Sequence, residues 1–130
     1  MMEEKTSIRD KSFALAVRIV KLSQYLTENK KEYILSKQLL RCGTSIGANI
    51  REGQNAESRA DFIHKLAIAQ KESNETIYWL ELLEATGYLS KREFDSINAD
   101  AVSVIKILTK ILKSTKNAQT NNQQSITNNH

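Results

Sequence analysis

Ser45 sits in the run Gly43-Thr44-Ser45-Ile46-Gly47, the G-x-S-x-G spacing that in a hydrolase lifts a serine onto a sharp strand-to-helix turn. Such a serine needs an oriented imidazole to take its proton, and the chain offers only His64 and His130. Neither completes an order of serine, acid and histidine. No strand-like run precedes Gly43, so catalysis at Ser45 is not expected. Metal chemistry fares no better, because one cysteine (Cys42) and two histidines do not supply three or four ligands at a known spacing. The acids Glu72 and Glu75, and Glu81 and Glu84, stand one helical turn apart in a charged face that includes Lys71 and read as solvated surface. No Gly-rich loop follows a strand, so nothing cradles a nucleotide's phosphates. The expectation is a protein that binds and does not catalyse, with no metal and no cofactor.

What remains as candidate chemistry is charge. Residues 1–51 carry ten Lys/Arg against five Asp/Glu, residues 52–100 carry five against ten, and residues 101–130 carry four lysines and no acid. Blocks of this kind give either basic and acidic faces suited to an anionic partner or to self-association, or ordinary solvated helix surface.

The elements that must position these residues are helices. Proline is absent and the four glycines all lie in the middle of the chain, which leaves long helices uninterrupted. Four segments are predicted, 7–27, 32–54, 59–86 and 91–114. Asn29-Lys30-Lys31 separates the first two, and Ser58 with Asp61 and Ser90 with Glu93 mark the starts of the last two as capping boxes. Gly87 is placed to end the third helix. Short links between long helices imply antiparallel neighbours, so residues 1–114 are expected to form an up-down-up-down four-helix bundle, an all-α fold. Residues 115–130, rich in Asn and Gln, hold too little apolar surface to fold and are expected to be a disordered tail. A lone cysteine and an N-terminus without an apolar core point to a reducing cytoplasm. No run reaches the roughly 18 apolar residues of a membrane span.

Placed at helical angles, the fourth helix has one apolar stripe: Phe94, Ile97, Ala101, Val104, Ile105, Leu108, Ile111 and Leu112. The first has two, with Phe13, Ala16, Val17 and Val20 opposite Leu15, Ile19, Leu22 and Leu26. The third also has two, with Phe62, Leu66, Ala69, Ser73, Ile77 and Leu80 opposite Ile68, Trp79 and Leu82. A bundle buries one broad side of each helix, so the second stripes are expected at a subunit contact. The residues expected there are Leu15, Ile19, Leu22, Ile68, Trp79 and Leu82, with Trp79 as the anchor.

On the second helix Gly43 and Gly47 give up about 2 kcal/mol of helix propensity, a cost that close approach of a neighbouring helix would offset. Beside them, Gln38, Arg41, Ser45, Asn49 and Glu52 form a polar strip. It is either solvent surface or a seam in which Arg41 meets Glu52 or Glu75 of a neighbouring subunit. With the first and fourth helices antiparallel, Lys11 falls near Lys113 and Arg18 near Lys106. A basic strip of Lys11, Arg18, Lys21, Lys106, Lys110 and Lys113 would then follow a phosphate backbone; the competing reading gives those lysines to solubility and to the helix C-terminus.

The run Thr44-Ser45-Ile46-Gly47-Ala48-Asn49-Ile50-Arg51-Glu52-Gly53 resembles the S-I-x-x-N-I-x-E-G signature of the four-helix-bundle proteins encoded in intervening sequences of 23S ribosomal RNA genes. Ser58-Arg59-Ala60-Asp61-Phe62, Lys71-Glu72-Ser73-Asn74-Glu75 and Gly87-Tyr88-Leu89 extend the likeness over residues 10–113. The resemblance implies a ring-like homopentamer, similar to the accessory protein of diversity-generating retroelements, which associates with a reverse transcriptase and nucleic acid. It also implies structural roles for Ser45, Asn49, Glu52, Gly53 and Glu75, and no established activity. Two functions follow: an oligomer that binds RNA or a nucleic-acid-processing protein through a basic surface, or an oligomeric adaptor without nucleic-acid binding. The tail has no counterpart in that family.

Overall fold

The computed structural model describes residues 7–128, with side chains to Ala118. It holds four helices: α1 (Ile8–Asn29), α2 (Leu35–Gln54), α3 (Arg59–Ala85) and α4 (Lys91–Asn128), with no strand among the described residues. Each start has an identifiable cause. Ser7 and Ser58 accept the backbone N–H of Asp10 and Asp61, each at 3.0 Å, relieving donors the first turn leaves unpaired. At α4 the Ser90 hydroxyl accepts from Glu93 N at 3.1 Å while the Glu93 carboxylate accepts from Ser90 N at 2.8 Å, the full reciprocal box. Gly87, at φ +87°, ends α3 in the left-handed region open to glycine.

α2 begins three residues later than expected. The Glu32 carboxylate reaches forward and accepts from the backbone N–H of Ile34, Leu35 and Ser36 at 3.2, 3.0 and 2.8 Å. The cap therefore lies outside the helix it serves, and Glu32 is buried while doing so.

Neighbouring helices pack in the order α1, α2, α3, α4 and back to α1, with α2–α3 the most extensive contact and α1–α4 the slightest. The contacts across α2–α3 and across α1–α4 run antiparallel. Arg41 meets Glu72 while Glu52 meets Lys65 across α2–α3. Arg18 reaches Ser96 and Asp100 while Lys11 lies beside Ser103 across α1–α4.

The core is built from Leu15, Ile19 and Leu26 of α1, Leu39, Ile46 and Ile50 of α2, Leu66, Leu80 and Leu83 of α3, and Val104 and Leu108 of α4. At about 1.5–3 kcal/mol for each large side chain buried, this face holds the bundle together. α4 runs without a break past Leu112, but none of its described residues after Leu112 is buried. The side chains from residue 119 on, where most of the expected disordered tail falls, lie outside the described residues, as does His130.

Candidate functional site

The structure reverses the two sides of α1. Leu15 and Ile19, expected at a subunit contact, are 1% and 0% exposed in the bundle's own core. Leu22 is half-buried against the same core. The outward stripe is the other one, with Phe13 56%, Val17 38% and Val20 37% exposed. The reason is length and bulk. Ile8, Ser12, Leu15, Ile19, Ser23 and Leu26 run the whole helix on one face, and the two serines let neighbouring backbones come close. Phe13, Ala16, Val17 and Val20 span only two turns. Together with Thr44, Gly47 and Ala48 of α2 they line shallow depressions on the α1–α2 side of the bundle. The Arg51 guanidinium lies over the Phe13 ring, 5.2 Å from its centroid, within cation–π range.

On α3, Ile68, Trp79 and Leu82 are half-buried, and Trp79 packs against the core. The Trp79 indole N–H donates to Glu75 at 3.1 Å. Tyr78, exposed, meets Trp79 edge to face with centroids 5.0 Å apart.

The polar strip of α2 is a seam within one protomer. Arg41 pairs with Glu75 and, at 3.4 Å, with Glu72 of its own chain. Glu52 pairs with Lys65 at 2.9 Å. Of the two readings of this strip, solvent surface or a seam to a neighbouring subunit, neither describes these pairs: antiparallel α2 and α3 bring Arg41 to Glu72 and Glu75, and Glu52 to Lys65, within one chain. Asn49 donates to the Ser45 hydroxyl at 3.0 Å and to the Ser45 carbonyl at 2.9 Å. Gly53 lies tight against α3, since a Cβ there would fall 2.6 Å from Leu66 Cδ1. Ser45 is in the middle of continuous helix, so the strand-to-helix turn of a hydrolase is absent at this position. Burial pushes the neighbouring Cys42 thiol up, the Thr76 hydroxyl 3.3 Å away opposing this, which favours the protonated form over the thiolate. Among the described residues no group of three or more His, Cys, Asp or Glu is arranged to hold a metal.

The expected basic strip does not assemble as drawn. Arg18 faces the start of α4, donating to Asp100 at 2.6 Å and to the Ser96 hydroxyl and carbonyl at 2.9 and 3.2 Å. Lys106 is therefore not its neighbour. Lys11 lies by Asp100 and Ser103, and Lys113 falls further down α4 by about 15 Å at 1.5 Å per residue. The cause is register: the tight turn after α3 starts α4 level with Leu22 and Tyr25, so its lower half runs past the beginning of α1. Lys106, Lys110 and Lys113 are exposed on the outer face of α4. Lys21 instead joins Arg92 in a groove between α1 and α4, also lined by Arg18, Leu22, Tyr25, Leu89, Glu93, Ser96 and Ile97, with a volume of about 470 Å³. Arg92 was not foreseen, because only the register of the α3–α4 turn brings it beside Lys21.

Comparison with known proteins adds the lineage. The family described as 23S rRNA-intervening sequence protein matches residues 4–110. Among curated proteins none matches the chain. The chain is similar to a crystal structure of a protein of unknown function from the S23 ribosomal protein family of Bacteroides thetaiotaomicron VPI-5482. The two are 55% identical with a TM-score of 0.82, over 82% of this chain and 99% of that one. With the signature on α2, the four-helix architecture and a match over most of its length, the chain belongs to the 23S rRNA-intervening sequence protein family.

Proposed function

We propose that this protein is a non-enzymatic homo-oligomer, pentameric as its resemblance implies, that binds RNA through basic surfaces in the cytoplasm. The observation that carries the assembly is the outward apolar face of Phe13, Val17 and Val20 on α1, which a monomer leaves in water. The half-buried Ile68, Trp79 and Leu82 lie on α3, the helix diagonal to α1. Two different apolar faces pointing in different directions suit a head-to-tail contact, which closes into a ring when the rotation permits.

The RNA reading draws on the exposed Lys106, Lys110 and Lys113, on a helix with no acid after Asp100. A ring would repeat this basic face once per subunit. The measurement is RNA binding against salt. Affinity should fall steeply between about 50 and 200 mM salt. Replacing the three lysines by alanine should lower the slope of log affinity against log salt by about 2, at about 0.7 per single-strand phosphate contact. Absence of RNA binding at low salt, with the oligomer intact, would reject this reading in favour of a protein-binding adaptor.

A further inference from the structure

The groove between the C-terminal half of α1 and the start of α4 brings cations, an aromatic ring, a carboxylate and an apolar floor into one concavity. Leu22, Leu89 and Ile97 form the floor and Tyr25 a wall. Lys21 and Arg92 stand at the groove with no ion-pair partner among the described residues. Arg18 lines it as well, but its charge is met by Asp100 at 2.6 Å. Lys30 adds a further positive charge, its ammonium 5.9 Å from the Tyr25 ring centroid. The Glu93 carboxylate lines the same groove, with one oxygen accepting from Ser90 N at 2.8 Å.

We propose that this groove is a subsite for one unstacked nucleotide of a single-stranded RNA segment, with its base against Tyr25 and the apolar floor and its phosphate at Lys21 and Arg92. The inference rests on the RNA-binding reading and deepens it. A phosphate alone would need only the cations, and an apolar ligand alone would be repelled by none of them but rewarded by none either. A nucleotide uses both. Its base presents a flat face to an aromatic ring and N–H groups that can donate to the Glu93 carboxylate lining the groove. The volume of about 470 Å³ is in the range of small-molecule sites, about 300–1,000 Å³. Arg92 is the better-suited phosphate ligand because its planar fork can make two parallel bonds to the oxygens.

Equilibrium dialysis of the full chain against a labelled nucleoside monophosphate tests this, with the nucleoside and inorganic phosphate as competitors. Saturable binding of one monophosphate per chain is expected, with both competitors weaker. Tyr25→Ala and Arg92→Ala should each weaken binding by roughly fivefold or more, Arg92→Lys by less, and Lys37→Ala, exposed on α2, not at all. Circular dichroism confirms that each variant stays folded. The proposal is overturned by absence of saturable binding, by Tyr25→Ala or Arg92→Ala binding as tightly as the native chain, or by inorganic phosphate competing as well as the monophosphate. RNA binding by the same preparations separates the two ideas: retained RNA binding without monophosphate binding removes the subsite alone, and loss of RNA binding by the unaltered chain removes the wider reading.

Discussion

Gly43 and Gly47 lie one turn apart on α2 and differ in what they touch. A Cβ on Gly43 would fall 2.7 Å from Ile19 Cγ2, a branched side chain locked in the core, whereas one on Gly47 would meet Ser12 Oγ at an ordinary 3.4 Å. Gly43→Ala is therefore expected to cost about 1–3 kcal/mol of overpacking, of which helix propensity returns about 1. Gly47→Ala gains that propensity without the clash and should raise the thermal midpoint. Unfolding of the two variants in the same oligomeric state checks the contrast. Close packing at this pair was legible in the sequence, but which glycine carries it was not, because that depends on where Ile19 points. Glu32 was missed altogether: it sits three residues before α2 with a carboxylate that stands in for the usual Ser or Asp cap. Glu32→Ala should destabilise the fold by about 0.5–2 kcal/mol, as loss of a cap does, read by chemical denaturation.

Among the elements, the starts of α3 and α4 and the end of α3 were the most readable, since Ser58, Ser90, Glu93 and Gly87 each do locally what their types allow, whereas α4 runs to Asn128 and not to the expected 114. The α4 box also has a pH signature. The Ser90 backbone N–H, then the Ser90 hydroxyl, hold the Glu93 carboxyl below the usual carboxylate range, with the Lys30 charge assisting. A carboxyl with a lowered folded-state pKa stabilises fully above its unfolded value and loses that contribution as pH falls through the folded value. The stability difference between the native chain and Glu93→Gln should therefore be constant near neutrality and shrink below about pH 4, as thermal melts across that range would record. A difference that persists unchanged at lower pH would show that the charge is immaterial. The first helix was the element read backwards. Its two stripes have similar apolar content, and the deciding signal lay in the serines: Ser12 and Ser23 look polar but continue the buried face to both ends of the helix. The ion pairs that one reading of the α2 strip placed between subunits are met by α2 and α3 alone.

At the scale of the whole molecule, the bundle and its family were legible from periodicity, caps and the α2 signature, whereas the relative register of α1 and α4 was not. Register is set by the length of the α3–α4 turn and by the point at which α1 begins, and neither leaves a mark in helical periodicity. That is why Arg18 was placed beside Lys106 when it meets Asp100. The outward face of α1 survives this correction with its residues exchanged, and self-assembly through it is the claim on which the rest depends. Multi-angle light scattering of the full chain and of Val17→Glu at micromolar concentration tests it most directly. The expected result is a discrete oligomer of several times the 14.8 kDa chain mass, reduced to the monomer by Val17→Glu with helix content unchanged. A native chain of 14.8 kDa, or a Val17→Glu variant that assembles as fully as the native chain, would contradict it.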